Sequence, residues 1–160
     1  MVTAVVQSQQ DLCQFLCFQL PGGTLAMLPT QQLVEIANLS LSQIVPIPDI
    51  SPSMLGVCNW RGEVLWLTDL GHFLGFEPLY TQSLRKGQVN TIIVHNEGQT
   101  LGLGVEQVDQ MLWCDRTQIQ PAPMQHLSPN LVRCLQGCWS DPQGNIFLVL
   151  DAEAIMNGLK

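Results

Sequence analysis

The sequence predicts an all-β chain of sandwich or small-barrel architecture with two short helices, and three observations carry that prediction. Short apolar runs recur between turn signals roughly every eight to twelve residues, the spacing of sandwiches and barrels. The alternating strand–helix rhythm of a parallel sheet is missing. Only two stretches begin with a capping acid ahead of a helical apolar pattern, at Asp69 and Asp151.

Taken in order, residues 1–11 form a polar, frayed lead-in, and 12–160 form one domain. Leu12 to Leu20 reads as a strand apolar on both faces, turned by Pro21-Gly22-Gly23 into a second strand, Thr24 to Leu28. Leu33 to Ala37 is a short β segment with Val34 and Ile36 on one face and Glu35 on the other. Pro46, Pro48 and Pro52 then impose an extended connector. Met54 to Trp60 and Glu63 to Leu67 flank Arg61-Gly62 as a tight hairpin. Asp69 caps a helix through Leu70, Phe73 and Leu74 that halts at Gly75, and residues 77–87 read as a solvated loop.

Gln88 to His95 and Gln99 to Glu106 make a hairpin about Asn96-Glu97-Gly98, with Leu101, Leu103 and Val105 facing inward. Gly102 and Gly104 fall inside this alternating strand, where they permit close backbone packing. Val108 to Cys114 is a further strand and Pro121 and Pro123 mark a connector. Leu131 to Trp139 and Gly144 to Leu150 close the β region around the turn Asp141-Pro142-Gln143-Gly144. Asp151 caps a last short helix, Ala152 to Met156.

Composition narrows the function. With 160 residues, 46% of them apolar, the chain can bury a real core. Only 12% are charged, against roughly 25% in an ordinary domain. Both a partner-binding apolar surface and a surface merely rich in Gln and Asn are consistent with that. The net charge of −7 and the lack of any Lys or Arg run argue against nucleic acid and anionic membranes. No stretch has a signal-peptide or membrane-spanning pattern, so a cytoplasmic location is expected.

Catalytic chemistry finds no purchase. His72, His95 and His126 fall in different elements, and no nucleophile-elbow, phosphate-loop or dinucleotide-binding glycine motif occurs. The acids are scattered over strand ends and turns. Of the six cysteines, Cys13 and Cys17, and Cys134 and Cys138, are spaced four apart within apolar runs, which on strands aims each pair at one face. Buried, reduced thiols are expected, with no metal and no cofactor. Trp60, Trp66, Trp113 and Trp139 are core candidates, and Trp60 or Trp66 doubles as a candidate interface anchor.

An ordered set of motifs resembles the CheW chemotaxis coupling-protein family. Gln14-Phe15-Leu16-Cys17-Phe18-Gln19-Leu20 looks like its first strand, and Leu33-Val34-Glu35-Ile36 its VxEI element. Ile47-Pro48 and Gly56-Val57 lead into Asn59-Trp60-Arg61-Gly62-Glu63-Val64, then Thr68-Asp69-Leu70 and Leu74-Gly75, resembling NLRG…DL…LG. Leu103-Gly104-Val105-Glu106-Gln107-Val108, Gln120-Pro121-Ala122-Pro123 and Leu148-Val149-Leu150-Asp151 stand for GLxVDxV, xPAP and LLLD. Trp60 replaces the usual Leu, Trp66 a common Pro and Glu106 the usual Asp. Trp66 is similar to variants serving type IV pilus chemosensory systems, phototactic ones among them.

The resemblance implies two packed, five-stranded SH3-like barrels and a non-enzymatic adaptor. It implies as partners the regulatory domain of a CheA-type histidine kinase and the cytoplasmic tip of a methyl-accepting chemoreceptor, with recruitment to membrane-associated receptor arrays. Carried over by position, Glu35 and Arg61 pair across a receptor-facing groove. Leu33, Val34, Ile36, Gly56 and Val57 supply an apolar strip, and Asn59 and Gly62 belong to the same motif. Two other readings stay open: a ring-forming structural paralogue, and a small-molecule sensor using Cys58, Cys114 and the Trp residues.

Overall fold

A computed structural model describes residues 11–79, 82–123 and 125–159. The expected lead-in lies outside them, apart from Asp11. The described strands form two five-stranded sheets. In lobe A these are β1 (Leu12–Leu20), β2 (Thr24–Pro29), β8 (Gln107–Asp115), β9 (Leu135–Ser140) and β10 (Ile146–Leu150), ordered β8-β1-β2-β10-β9. In lobe B they are β3 (Leu33–Ser40), β4 (Met54–Trp60), β5 (Glu63–Asp69), β6 (Gln88–Asn96) and β7 (Gln99–Val105), ordered β3-β6-β7-β5-β4. The chain starts in lobe A, builds the whole of lobe B, and returns to finish lobe A.

Each sheet closes on itself by the same device. In lobe B the chain leaves β3 through a 3-10 turn, Leu41–Gln43, and Val45 bridges to Val57 on the opposite edge strand. In lobe A it leaves β8 through Arg116–Gln118, and Gln120 bridges to Cys138. The bridge needs a glycine beside it. A Cβ on Gly56 would sit 2.3 Å from the Val45 carbonyl oxygen, and one on Gly137 2.4 Å from that of Gln120. Closing removes the open sheet edges that a flat sheet exposes. The result is the expected pair of packed SH3-like barrels.

Three apolar clusters follow from that arrangement. Phe15, Cys17, Met27, Cys114, Trp139, Phe147 and Val149 fill lobe A. Ile44, Cys58, Leu65, Leu67, Val89 and Ile93 fill lobe B. The largest cluster lies between them, where Leu16, Phe18, Leu20, Ala26 and Leu28 meet Ile92, Val94, Leu101, Leu103 and Val105. Central strands are therefore buried on both faces, which is why Leu12 to Leu20 reads as apolar throughout. Gly102 fits the same crowding, since a Cβ there would come within 2.9 Å of Leu67.

Helix α1 (Leu70–Phe73) starts at Asp69, whose carboxylate accepts the His72 N–H, and α4 (Ala152–Gly158) starts at Asp151 in the same way from Glu153. Two helices were not expected. α2 (Gln82–Arg85) interrupts the anticipated 77–87 loop. α3 (Pro129–Cys134) replaces the first half of the strand expected from Leu131 to Trp139, and only Leu135 onward is β. Ser128 caps α3 by accepting the Leu131 N–H, with Pro129 at the first helical position. The same Ser128 hydroxyl donates to the Leu74 carbonyl at 2.6 Å, so the cap also docks α3 onto the end of α1. Cys134 therefore sits on a helix, not on a strand with Cys138.

Candidate functional site

The Arg61-Gly62 turn is built to point outward. Arg61 (φ 52°) and Gly62 (φ 80°) both lie in the left-handed region, as the central residues of a type I′ hairpin do. Glycine adopts that conformation freely, while arginine pays for it. The Asn59 side-chain carbonyl accepts the Gly62 N–H at 3.0 Å, which fixes the turn.

This turn meets β3 because barrel closure brings the two sheet edges together. Glu35 Oε1 lies 3.1 Å from Arg61 Nη2, and Glu35 Oε2 accepts the Trp60 indole N–H at 2.8 Å. The Arg61 guanidinium also lies over the Trp60 ring, 5.0 Å from its centroid. Both carboxylate oxygens are thus engaged from one hairpin. Arg61 is 67% exposed, so the ion pair by itself contributes only about 0–1 kcal/mol. With the Trp60 bond it ties β3 to the hairpin. Trp60 packs partly against the lobe B core while donating to Glu35, a partnership the sequence reading missed. An aromatic donor directly before the turn arginine is the only local signal of it.

The expected apolar strip divides in three. Val34 and Ile36 point outward, 45% and 42% exposed, opposite to Glu35 as the alternation predicts. Leu33 instead lies on the Glu35 side of the strand, where alternation puts it, and packs against the cluster between the lobes. Gly56 is buried beneath the Val45 carbonyl and serves closure. Val57 faces outward on a different flank, paired with Trp66 and bridged to Val45. With Val64 and Trp66 it forms an apolar surface on the β4–β5 hairpin. Trp66 also lines an apolar groove of about 600 Å³ with Met54, Leu101, Met156 and Leu159.

The other singled-out residues disperse. Cys58 and Cys114 fill the interiors of different lobes, so they form no shared site. Burial pushes the Cys17, Cys114 and Cys134 thiols up to about 11. Trp139 belongs to the lobe A core and Trp113 is exposed on β8. Asp69 is buried, and desolvation raises its carboxyl above the usual range despite N–H bonds from Leu79 and His72. Among the described residues no group of His, Cys, Asp and Glu is placed to hold a metal ion. No described helix is long and apolar enough to cross a membrane.

The family model of the CheW-like domain matches residues 14–160. Among solved structures, the scaffolding protein TtCheW from Thermoanaerobacter tengcongensis is similar in fold, with a TM-score of 0.72 and 21% sequence identity over 86% of this chain and 88% of that one. The search of curated proteins gives no match.

Proposed function

This chain belongs to the CheW-like domain family, and we propose that it is a non-enzymatic scaffold coupling methyl-accepting chemoreceptors to a CheA-type histidine kinase. The observation that carries the reading is the Glu35–Trp60–Arg61 cluster beside exposed Val34 and Ile36. It supplies a rigid charged corner next to two apolar side chains on one strand. An amphipathic helix of a receptor tip fits such a surface, its apolar stripe on Val34 and Ile36 and its polar flank on Arg61. Signal then passes by geometry, receptor and kinase being held at a fixed angle. Localisation to receptor arrays follows from that binding.

Titration calorimetry against the regulatory domain of a CheA-type kinase and against a receptor tip tests the scheme. One-to-one binding to both is expected. Arg61→Glu should abolish receptor control of the kinase with the fold intact, and normal control in that variant would sink the receptor site.

A ring-forming role has its own support. Val64 and Ile146 are 70% and 61% exposed at equivalent places in the two lobes, on the strand after each closing hairpin. Two like apolar patches on opposite lobes suit head-to-tail assembly. Assembly that survives Arg61→Glu and fails in Val64→Asp would separate this role from receptor coupling.

A further inference from the structure

Two of the cysteines face each other across neighbouring strands. Cys13 on β1 and Cys114 on β8 are direct register partners in an antiparallel pair. Both turn toward the interior of lobe A, where Cys13 packs partly buried against the cluster that contains Cys114. Directly opposed residues have Cα atoms about 4.5 or 5.5 Å apart, depending on the ladder position. Either value falls in the range of roughly 4.4–6.8 Å that a disulfide spans. Their Cβ atoms stand about 4.5–5.5 Å apart, slightly wider than the roughly 3.5–4.5 Å of the bond. Closure therefore needs only a small approach of two strands. It stores some strain, and strained bonds are the readily reduced ones.

No other pair of thiols is so placed. Cys17 lies four residues from Cys13 along the same strand, about 13 Å away at strand rise. Cys17 has Met27 as its β2 partner and no register partner on β8, Cys138 pairs with Leu148, Cys58 is in the other lobe, and Cys134 is on α3 in a different cluster.

We propose that Cys13 and Cys114 form a reversible dithiol–disulfide pair that staples β8 to β1 under hydroperoxide. Cys13, the more accessible thiol, attacks the peroxide; its sulfur becomes a sulfenic acid and one oxygen leaves as water. The Cys114 sulfur then displaces the hydroxyl of that sulfenic acid, forming the S–S bond and releasing a second water. Two thiols lose two electrons and two protons, and one peroxide is reduced.

The test uses the full-length reduced protein with hydrogen peroxide, followed by alkylation under denaturing conditions and mass mapping. Two thiols should be lost, the intact mass should fall by two hydrogens, and a cross-linked peptide should join Cys13 to Cys114. Dithiothreitol should restore both thiols, and unfolding should shift to higher temperature only in the oxidised form. Cys13→Ser, on a partly exposed side chain, should abolish the bond and the shift, while Cys17→Ser should retain both. A bond between any other cysteines, over-oxidation of Cys13 without a bond, or loss that dithiothreitol does not reverse would overturn the proposal.

Discussion

The two lobes share their construction and differ in their hairpins. Each has a five-stranded order with one parallel pair, β5 with β7 and β10 with β2. Each has a slipped register on the strand leading to closure, Leu33 to Ile36 spanning Val94 to Ile92 as Val108 to Met111 spans Phe18 to Leu16. Each closes beside a glycine, and in each the strand after the closing hairpin runs into an aspartate-capped helix. The hairpin turns diverge. In lobe B, Arg61 reaches out of its turn to Glu35 on another strand. In lobe A, the Asp141 carboxylate accepts N–H bonds from Gln143 and Asn145, so the turn is satisfied within itself. What builds a barrel is present twice, and the outward-reaching ionic corner once.

The comparison breaks first if the lobes are separable. Phe18→Ala removes a fully buried ring from the cluster between them and should cost about 3–5 kcal/mol. Because both lobes share that cluster, urea unfolding followed by circular dichroism and tryptophan fluorescence should shift as one transition. Two resolved transitions would make the lobes independent units.

Next come the closing glycines. Gly56→Val and Gly137→Val each drive a side chain into a backbone carbonyl, and each should destabilise by about 2–4 kcal/mol. Similar losses in urea midpoint would confirm a shared device, whereas a harmless substitution in one lobe would limit it to the other.

Trp60→Phe sharpens the contrast between the hairpins. It keeps an aromatic face under Arg61 and deletes the N–H given to Glu35. A loss of about 1–2 kcal/mol is expected, with receptor affinity falling in calorimetry. Asp141→Ala should loosen the lobe A turn and leave receptor affinity unchanged.

The smallest effects are those of pH, and they have opposite signs. Side-chain and backbone hydrogen bonds, first that from Asn145, hold the Asp141 carboxyl below its ordinary 3.8. Its contribution is therefore complete above that value and lost as pH falls through the lower folded one. Asp69 is raised by burial, so its contribution is complete below its unfolded value and lost as pH rises through the folded one. Urea midpoints measured from neutral pH down to about pH 3 should fall less steeply in Asp141→Asn than in the parent, and more steeply in Asp69→Asn.

Most strand positions, the four turns between antiparallel strands, and the caps at Asp69 and Asp151 were legible in the sequence, because alternation, turn chemistry and capping act over a few residues. The outward set of Val34 and Ile36 against Glu35 was legible for the same reason. α3 was not, since Leu131 to Trp139 is apolar enough for a strand and its fate turned on the preceding Ser128-Pro129 and on docking against α1. Leu33 was assigned to the exposed strip by its place in the family motif, although alternation sets it on the face of Glu35, opposite Val34 and Ile36. The duplicated barrel was invisible as a repeat, since its two copies are nested and share mainly glycine, aspartate and apolar positions.

By itself, then, the sequence determined the all-β class, the local turns and caps, and through its ordered motifs the family. The meeting of Glu35 with Arg61 was expected from the resemblance alone; tertiary structure decided that Trp60 completes that cluster and that Cys13 faces Cys114. Those contacts join residues 25 to 101 positions apart. Such distances are set by barrel closure and by the cluster buried between the lobes, which no local pattern encodes.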